Sequence, residues 1–472
     1  MRFRCASCSR TVESDDPAPQ CYSCGSPALI FEEGAPRVSR VTLEDLPQGV
    51  WRYRDLLPPV DGEVPVTLGE GGTPLLHAER LGRELGLREL WIKDESRNPT
   101  GSFMDRGSTV LLTLAKTRGI KYCACVTTGN LGASVSAYCA KAGIEARIQI
   151  NPNIDQGKLY QMLAYGAKVG TKSHHSGEKN SIEVTAANPY LLEGEKTTGF
   201  EIVQEFGWKA PDVIVVPVGT GGHISMIWRA ILETSEAGLS EKPSCRLFGV
   251  KLGGIGGRQS HGRGSSPRYG FPLAELSESE PFFRSQAESA IADSHGQSVS
   301  TAPEESIAAM DLLAKAEGIF AEPSAASVIA ALATAVRGGK IDRDESVVCV
   351  ITGSGLKDTE SVSRTVKATR RSARPNPYML PSSRLGETKL ALLRSLKRRP
   401  SYGYELRQII RRDREISTAS VYQHLSELER FDLIRKRGSM VSGGRERIVY
   451  EITRRGVGFL DMAAKLEKTG GE

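Results

Sequence analysis

One glycine-rich turn constrains the fold of this chain more than any other stretch. Residues 212–218 (DVIVVPV) are apolar and β-branched on both faces, which is typical of a buried parallel strand. They run into Gly219-Thr-Gly-Gly-His-Ile224, and a helical pattern follows over residues 225–234. Glycines let backbone N–H groups converge and a helix N-terminus adds partial positive charge, so the turn predicts a phosphate cradle. A plain strand-to-helix turn is the alternative, and the absence of GxGxxG disfavours a dinucleotide.

A second strand–turn–helix unit precedes it. Residues 122–126 form a short apolar strand, the turn TTGNLGAS follows at 127–134, and a helix is predicted over 135–142. Another strand follows at 146–150, and a later one at 346–351 ends in TGSGLKD. Strands that alternate with helices predict an α/β fold with a parallel sheet. Turns at the carboxyl ends of such strands are where these sheets bind ligands.

A further segment, NPTGSFMDRG at residues 98–107, lies between a strand-like run at 89–93 and a helical pattern at 109–115. Other motifs surround it, namely GEGGTPL at 69–75, EGEKTTGFE at 193–201 and EGIFAEPSAA at 317–326. In this order, over roughly residues 67–360, the motifs resemble those of threonine synthase and its relatives among the pyridoxal-phosphate enzymes of the tryptophan-synthase-β fold. The family versions include GEGxTPL, STGNxxAS, EGQKT followed by FEI, GNGG and TGxGLKD.

The resemblance implies a fold and a set of contacts. The fold is an α/β core of two parallel-sheet subdomains, fold type II of the pyridoxal-phosphate enzymes. In the family the asparagine bonds the phenolic oxygen, the threonine faces the pyridine nitrogen, and the glycine turn grips the phosphate. The implied cofactor-binding residues are Asn130, Gly219, Thr220, Gly221, Gly222, His223 and Thr352. The implied substrate or ligand contacts are Thr73, Ser102, Thr128 and Lys158, with a surface lysine as the alternative at the last position.

The chain departs from the family at position 104. Relatives carry there the catalytic lysine that forms the Schiff base, whereas this chain has Met104. A thioether forms no imine and shuttles no proton, and general acid–base catalysis alone is worth ~10²–10⁴ in rate. Methionine is close to lysine in length and fills the same channel without burying a charge. We therefore predict a retained fold, with pyridoxal phosphate bound non-covalently or as a preformed imine with an amino acid.

Four of the nine cysteines form two close pairs near the N-terminus. Each CxxC places two thiolates on one tight turn, and two turns close a tetrahedron around Zn²⁺. A redox CxxC is the alternative, but it normally has one pair beside a βαβ unit. The predicted ligands of a structural zinc ribbon are Cys5, Cys8, Cys21 and Cys24.

The C-terminal part differs from the rest in charge and pattern. Residues 385–472 carry 19 Lys and Arg against 12 Asp and Glu, whereas residues 1–384 carry 43 against 44. A basic excess of this kind predicts a polyanion partner. Helical patterns lie at residues 388–397 and 401–410, and a third begins at the cap Ser417. Two strand patterns follow at 433–436 and 448–452. This order of three helices and a hairpin predicts a winged helix.

The motifs GYEL, STASVYQHLSELE and GGRERIVYEIT in this part resemble those of the PadR-type repressors. The resemblance implies DNA as the partner, and a winged helix used only for protein contacts is the alternative. Bases would be reached by Thr418, Ser420, Tyr422 and Gln423. Phosphates would be met on the wing by Arg445 and Arg447.

The predicted organisation is a zinc ribbon at residues 1–34, a threonine synthase-like domain at 35–362, a basic linker at 363–384 and a winged helix at 385–472. No apolar run approaches the ~20 residues that span a bilayer, and MRFRCASC has no apolar signal region, so a cytoplasmic protein is expected. Both resemblances imply a homodimer.

Two functions fit this organisation, and a purely structural scaffold fits less well. The first is a regulator of amino-acid metabolism that senses a cofactor, an amino acid or a phosphorylated amino acid and acts on DNA. The second is an active threonine synthase that converts O-phosphohomoserine to threonine and phosphate. The second requires a lysine from elsewhere or an engineered substitution at position 104, and Lys93, on the preceding strand, is not expected to serve.

Overall fold

The computed structural model describes residues 1–32, 38–60, 64–127, 129–151, 154–171, 179–252, 282–359, 387–411, 416–430, 433–442 and 445–460. The chain divides into two compact units, Met1–Thr369 and Arg370–Glu472. The predicted linker at 363–384 lies outside the described residues. None of the described helices is long and apolar enough to cross a membrane.

The elements of the first unit alternate between strands and helices after a short N-terminal sheet. The strands are β1 (Arg2–Cys5), β2 (Thr11–Glu13), β3 (Leu29–Phe31), β4 (Leu75–His77), β5 (Glu89–Asp94), β6 (Tyr122–Thr127), β7 (Glu145–Ile150), β8 (Lys168–Gly170), β9 (Ser181–Val184), β10 (Val213–Pro217), β11 (Arg246–Leu252), β12 (Gln297–Thr301) and β13 (Ser346–Ile351). The α-helices are α1 (Arg40–Glu44), α2 (Glu79–Leu85), α3 (Met104–Thr117), α4 (Asn130–Ala142), α5 (Gln156–Ala164), α6 (Pro189–Glu205), α7 (Gly222–Glu236), α8 (Arg284–Asp293), α9 (Pro303–Glu317) and α10 (Pro323–Arg337). Short 3₁₀ helices lie at Val50–Leu56, Glu95–Arg97 and Gly355–Lys357.

Two sheets organise the first unit. The larger has the order β12-β11-β10-β13-β5-β4, and its neighbours are parallel except for the antiparallel pair β4 and β5. The smaller has the order β8-β7-β6-β9 and is parallel throughout. The two parallel-sheet subdomains predicted from the sequence are therefore confirmed.

The larger sheet is covered by helices on both faces. Successive side chains of a strand point to opposite faces. Val213 and Val215 of β10 accordingly join one apolar cluster with α9 and α10. Ile214 and Val216 join another with α6, α7 and α8. Burial on both faces is the physical reason why this strand is apolar at every position.

The N-terminal ribbon packs directly on the α/β part of the first unit. Its three strands form an antiparallel sheet of order β2-β1-β3. The Phe3 ring makes edge-to-face contacts with Phe31 at 5.6 Å and with Tyr190 of α6 at 5.9 Å between centroids. Asn188, the N-cap of α6, donates a side-chain hydrogen bond to the Pro17 carbonyl at 2.8 Å. The ribbon is thus anchored at the start of α6.

Three helices begin earlier than their apolar patterns predict. Helix α3 begins at Met104 instead of residue 109, α4 at Asn130 instead of 135, and α7 at Gly222 instead of 225. Their first turns contain glycines and small polar residues, which in the sequence resemble loop. Each of these first turns follows a strand of one of the sheets, so the helix N-termini are placed at the sheets' carboxyl edges, where ligands bind.

The second unit has the predicted helix–helix–helix–hairpin order. Its elements are α11 (Glu387–Arg398), β14 (Ser401–Tyr402), α12 (Gly403–Ile410), α13 (Thr418–Arg430), β15 (Ile434–Ser442) and β16 (Arg445–Ile452), followed by helical residues 454–460. The sheet order is β14-β16-β15. The core of this unit contains Leu392, Leu406, Val421 and Leu425. The hairpin is longer than the predicted strands, and the two-residue strand β14 escaped prediction because it is too short to show a periodicity.

Candidate functional site

A cavity of about 630 Å³ opens where strands of both sheets end. Its wall includes the last residues of β6 and β10 and the residue that follows β13. The first turns of α3 and α4 and the turn before α7 complete it. Six of the seven residues predicted from sequence to bind the cofactor line it, together with Met104, namely Asn130, Gly219, Thr220, Gly221, His223 and Thr352.

Met104 lies in the wall of this cavity, half-buried, as the first residue of α3. The preceding ring, Phe103, stacks on His223 with centroids 4.1 Å apart and planes 17° apart. The Phe103 N–H donates to the carbonyl of Thr352 at 3.1 Å. The residue that precedes the family's lysine position is therefore held by its ring and by its backbone.

The glycine turn has no room for larger residues. Gly221 has a φ of +87°, and a Cβ atom there would lie 2.6 Å from the Phe283 carbonyl oxygen. A Cβ atom on Gly222 would lie 2.6 Å from Leu192 of α6, so this residue serves packing and does not line the cavity. The turn presents the N-terminus of the 15-residue helix α7. Unsatisfied N–H groups and the helix dipole at this place suit a phosphate group.

Two buried polar atoms of the cavity wall have no hydrogen-bond partner among the residues that the structure describes. These are Nδ1 of His223 and Oγ of Ser324. The other ring nitrogen of His223, Nε2, lies 3.2 Å from Thr198 Oγ1 and holds the ring in place. Burial, assisted by Arg106, lowers the pKa of His223 to about 3, so the imidazole is neutral. Orphaned polar atoms of this kind indicate a ligand with polar groups of its own, and pyridoxal phosphate fits this requirement.

Asn130 is engaged by a carboxylate of the cavity wall. Its Nδ2 donates to Glu322 Oε1 at 2.8 Å, and the other oxygen of Glu322 lies 3.4 Å from the Lys158 ammonium. Lys158 is buried and stands behind the wall, so it is not the surface lysine of the alternative. It positions Glu322, and through it Asn130, at the cavity.

No lysine lines the cavity among the described residues. The buried Lys93 ammonium lies 2.9 Å from Glu201 and 2.8 Å from Glu205. The Lys196 ammonium lies 2.5 Å from Glu193 and 2.8 Å from Glu233. Breaking a buried pair of this kind costs about 3–5 kcal/mol. Their ion pairs therefore keep Lys93 and Lys196 from replacing the Schiff-base lysine that the family has at position 104.

Two other predicted ligand residues, Thr73 and Ser102, do not line the cavity. Thr73 is buried in an ion cluster, where its Oγ1 donates to Glu95 at 2.7 Å and accepts from Arg106 at 3.0 Å. Ser102 is fully buried behind the wall, bridged to Gly353, and its Oγ has no partner among the described atoms. Thr128 lies outside the described residues. The motif order alone could not separate residues that shape the site from residues that line it.

The wall also contains residues that were not predicted as part of the site, and Glu195 is one of them. Glu195 of α6 lines the cavity and is only 4% exposed. Burial raises the pKa of its carboxyl to about 8. No hydrogen bond or ion pair reaches this carboxyl from the described part of the chain. One sequence signal could have identified Glu195. The segment reads EGEKT in this chain, whereas the family motif is EGQKT, so Glu195 stands where the family has glutamine.

The four N-terminal cysteines form a cluster. Their sulfur atoms all lie within 4.8 Å of one another, and the pairs Cys5–Cys24 and Cys8–Cys21 have Sγ–Sγ separations of 3.6 Å. Four thiolates at such separations can surround a tetrahedral metal ion. The cluster lies in the ribbon that packs on α6.

The second unit exposes most of the residues predicted to read bases. Thr418 and Gln423 are exposed on α13, Tyr422 is 45% exposed, and Ser420 is half-buried. The Arg447 guanidinium on the wing lies 4.9 Å from the ring centroids of both Tyr402 and Tyr404. This cation–π contact holds Arg447 against the body of the unit. The side chain of Arg445 lies outside what the structure describes.

Comparison with known proteins agrees with both units. Residues 66–353 match the family described as pyridoxal-phosphate dependent enzyme. Threonine synthase of Methanocaldococcus jannaschii is 36% identical over 385 residues, which cover 77% of this chain and 95% of that protein. Threonine synthase of Mycobacterium leprae is 37% identical over 340 residues, covering 68% and 91%. The chain thus belongs to the threonine synthase-like pyridoxal-phosphate dependent enzymes. Residues 392–461 match the transcriptional regulator PadR-like family.

Proposed function

We propose that this chain is a ligand-sensing, DNA-binding regulator built on a threonine synthase-like domain. The observation that carries the proposal is the cavity, in which the phosphate turn is intact and Met104 stands where the family has lysine. A thioether neither forms a covalent bond to the cofactor nor carries a proton. A binding site that has lost its chemistry and is fused to a DNA-binding domain fits sensing better than turnover.

Pyridoxal phosphate or a close relative is the cofactor-like ligand that the cavity fits best. Gly219, Thr220 and Gly221 would hold the phosphate at the start of α7. Asn130 and Thr352 would lie against the ring. Bound pyridoxal phosphate supplies an electrophilic carbonyl and an electron-withdrawing ring. With Met104 in place the chain would hold and orient this group non-covalently, alone or with an amino acid.

The proposed function is tested by operator binding with and without ligand. An operator is first selected from random DNA by the full chain, and its binding is followed by fluorescence anisotropy at fixed salt, because phosphate contacts depend on salt. Pyridoxal phosphate, L-threonine and O-phosphohomoserine are then added separately and together. At least one ligand is expected to change the operator affinity. A ligand that binds the protein but leaves the operator affinity unchanged under every condition argues against sensing.

The Gln423→Ala variant is expected to weaken operator binding by about 1–3 kcal/mol while leaving binding to unrelated DNA unchanged. Gln423 is exposed on α13, the helix that enters the major groove in this class of domain. The measurement is anisotropy with operator and with scrambled DNA. Gln48→Ala, the same change at an exposed position of the first unit, is the control. Equal losses on both DNAs would show that Gln423 contacts no base.

We propose that the cysteine cluster holds Zn²⁺ as a structural ion. The purified chain is expected to contain about one zinc ion, and the double variant Cys5→Ser/Cys8→Ser to contain none. Structural zinc sites in small peptides contribute about 10–16 kcal/mol of folding free energy, so the ribbon should lose its structure with the ion. Elemental analysis and hydrogen exchange over residues 1–31 measure both effects. Ser7→Ala, in the same turn, should retain the ion; a double variant with full zinc content would refute the site.

A further inference from the structure

The cavity contains a buried carboxyl that the proposed function does not yet use. Glu195 lines the cavity, is nearly inaccessible, and meets no cation among the described residues. The other carboxyl in the wall, Glu322, already pairs with Lys158 and Asn130. Ionising an unpaired carboxyl away from water costs free energy. A cationic group that enters the cavity would therefore stabilise the ionised form of Glu195.

The position of Glu195 relates it to Met104. Glu195 follows Gly194, and a Cβ atom on Gly194 would lie 1.9 Å from the carbonyl oxygen of Arg106. Helix α6 therefore touches the first turn of α3, two residues after Met104. In this part of the cavity the family's amine is missing and a carboxyl is present. Compared with the family motifs, the site has a methionine in place of the lysine and a glutamate in place of the glutamine of EGQKT.

We propose that Glu195 is the counter-ion for a primary ammonium group, and that the cavity takes a phosphorylated pyridine ligand carrying that group, in the manner of pyridoxamine 5′-phosphate. The glycine turn would hold the phosphate and Glu195 would pair with the ammonium. The aldehyde form offers no charge to Glu195 and finds no lysine to join. This inference rests on the proposed function and specifies its ligand.

Calorimetric titration of the full chain near neutral pH tests the inference. Pyridoxamine 5′-phosphate is compared with pyridoxine 5′-phosphate, which has the same ring and phosphate but a hydroxyl in place of the ammonium. A hydrogen-bonded charge is worth about 10- to 100-fold in affinity, so the amine is expected to bind tighter than the alcohol by that factor. Pyridoxal phosphate should resemble the alcohol. Equal affinity for amine and alcohol in the unmodified chain overturns the inference, and this comparison requires no variant.

The variant Glu195→Gln is expected to remove the preference by weakening the amine about 10- to 100-fold while changing the alcohol little. Glu183→Gln, the same change on an exposed residue of β9, should keep it. A preference that survives Glu195→Gln overturns the role of Glu195. Binding of L-threonine alone that requires Glu195, without any preference among the pyridines, overturns the pyridine assignment.

The calorimetric result and the operator result can fail separately. A chain that prefers the amine through Glu195 but binds the operator equally with and without it supports the inference and contradicts the proposed sensor. A chain whose operator affinity responds equally to amine and alcohol supports the sensor and contradicts the inference.

Discussion

The Met104→Lys variant is expected to gain covalently attached pyridoxal phosphate and to release phosphate from O-phosphohomoserine, whereas the chain with methionine does neither. Position 104 begins α3 and lines the same cavity as the glycine turn. A lysine there supplies both the nucleophile and the proton carrier. General acid–base catalysis alone contributes about 10²–10⁴ in rate, so the gain should be at least of that size. A phosphate-release assay measures turnover, and intact mass after borohydride reduction measures attachment.

The control for this variant is Met104→Gln, which has a similar length and a polar end but no nucleophilic amine. It should remain silent in both measurements. If the chain with Met104 itself produces threonine, the domain is an enzyme and the winged helix accompanies it. If the lysine variant binds the cofactor covalently but stays silent, the cavity has diverged beyond position 104. Glu195→Gln is then the first substitution to add, because this residue also departs from the family motif.

The strands of the core could be predicted closely because burial on both faces imposes a continuous apolar run. The pattern at 212–218 corresponds to β10 at Val213–Pro217, and that at 346–351 to β13 at the same residues. Helix N-termini were placed too late. A glycine at the start of a helix can pack closely against a neighbouring helix, as Gly222 does against the Leu192 side chain of α6, and only the tertiary structure shows this.

The composition of the site was predictable only in part. Motifs in family order identified Met104, Asn130 and the glycine turn, because these segments end at the carboxyl edges of strands. Glu195 could not be identified by periodicity. Helix α6 is buried at every position from Pro189 to Val203, so its sequence shows no exposed face against which a buried acid would stand out. Its neighbours Glu193 and Lys196 are charged too, but the structure pairs them with each other and with residues of α7.

Glu195→Gln is expected to stabilise the ligand-free protein at high pH and to have little effect at low pH. Burial raises the pKa of Glu195 to about 8, whereas the pKa of a glutamate in an unfolded chain is about 4.3. At a pH below the pKa of the unfolded glutamate, the carboxyl is protonated in both the folded and the unfolded state, so it does not reduce the free energy of unfolding. As pH rises from there to the folded pKa, only the unfolded state ionises, so stability falls and then levels off above about pH 8. Above about pH 8 the free energy of unfolding is lower by about 3–5 kcal/mol, and the Glu195→Gln variant should not show this decrease.

The measurement is the free energy of unfolding from urea titrations at about pH 5 and about pH 9, compared between the two proteins. Other groups near the cavity, such as the neutral His223 and the Glu322–Lys158 pair, are common to both proteins and cancel in the difference. The amide of the variant has its own burial cost, but that cost does not vary with pH. A stability difference that is the same at both pH values would mean that Glu195 is ionised and paired in the folded chain. Because a bound ammonium would supply such a partner, saturating pyridoxamine 5′-phosphate should reduce the pH dependence of the unmodified protein and leave that of Glu195→Gln unchanged.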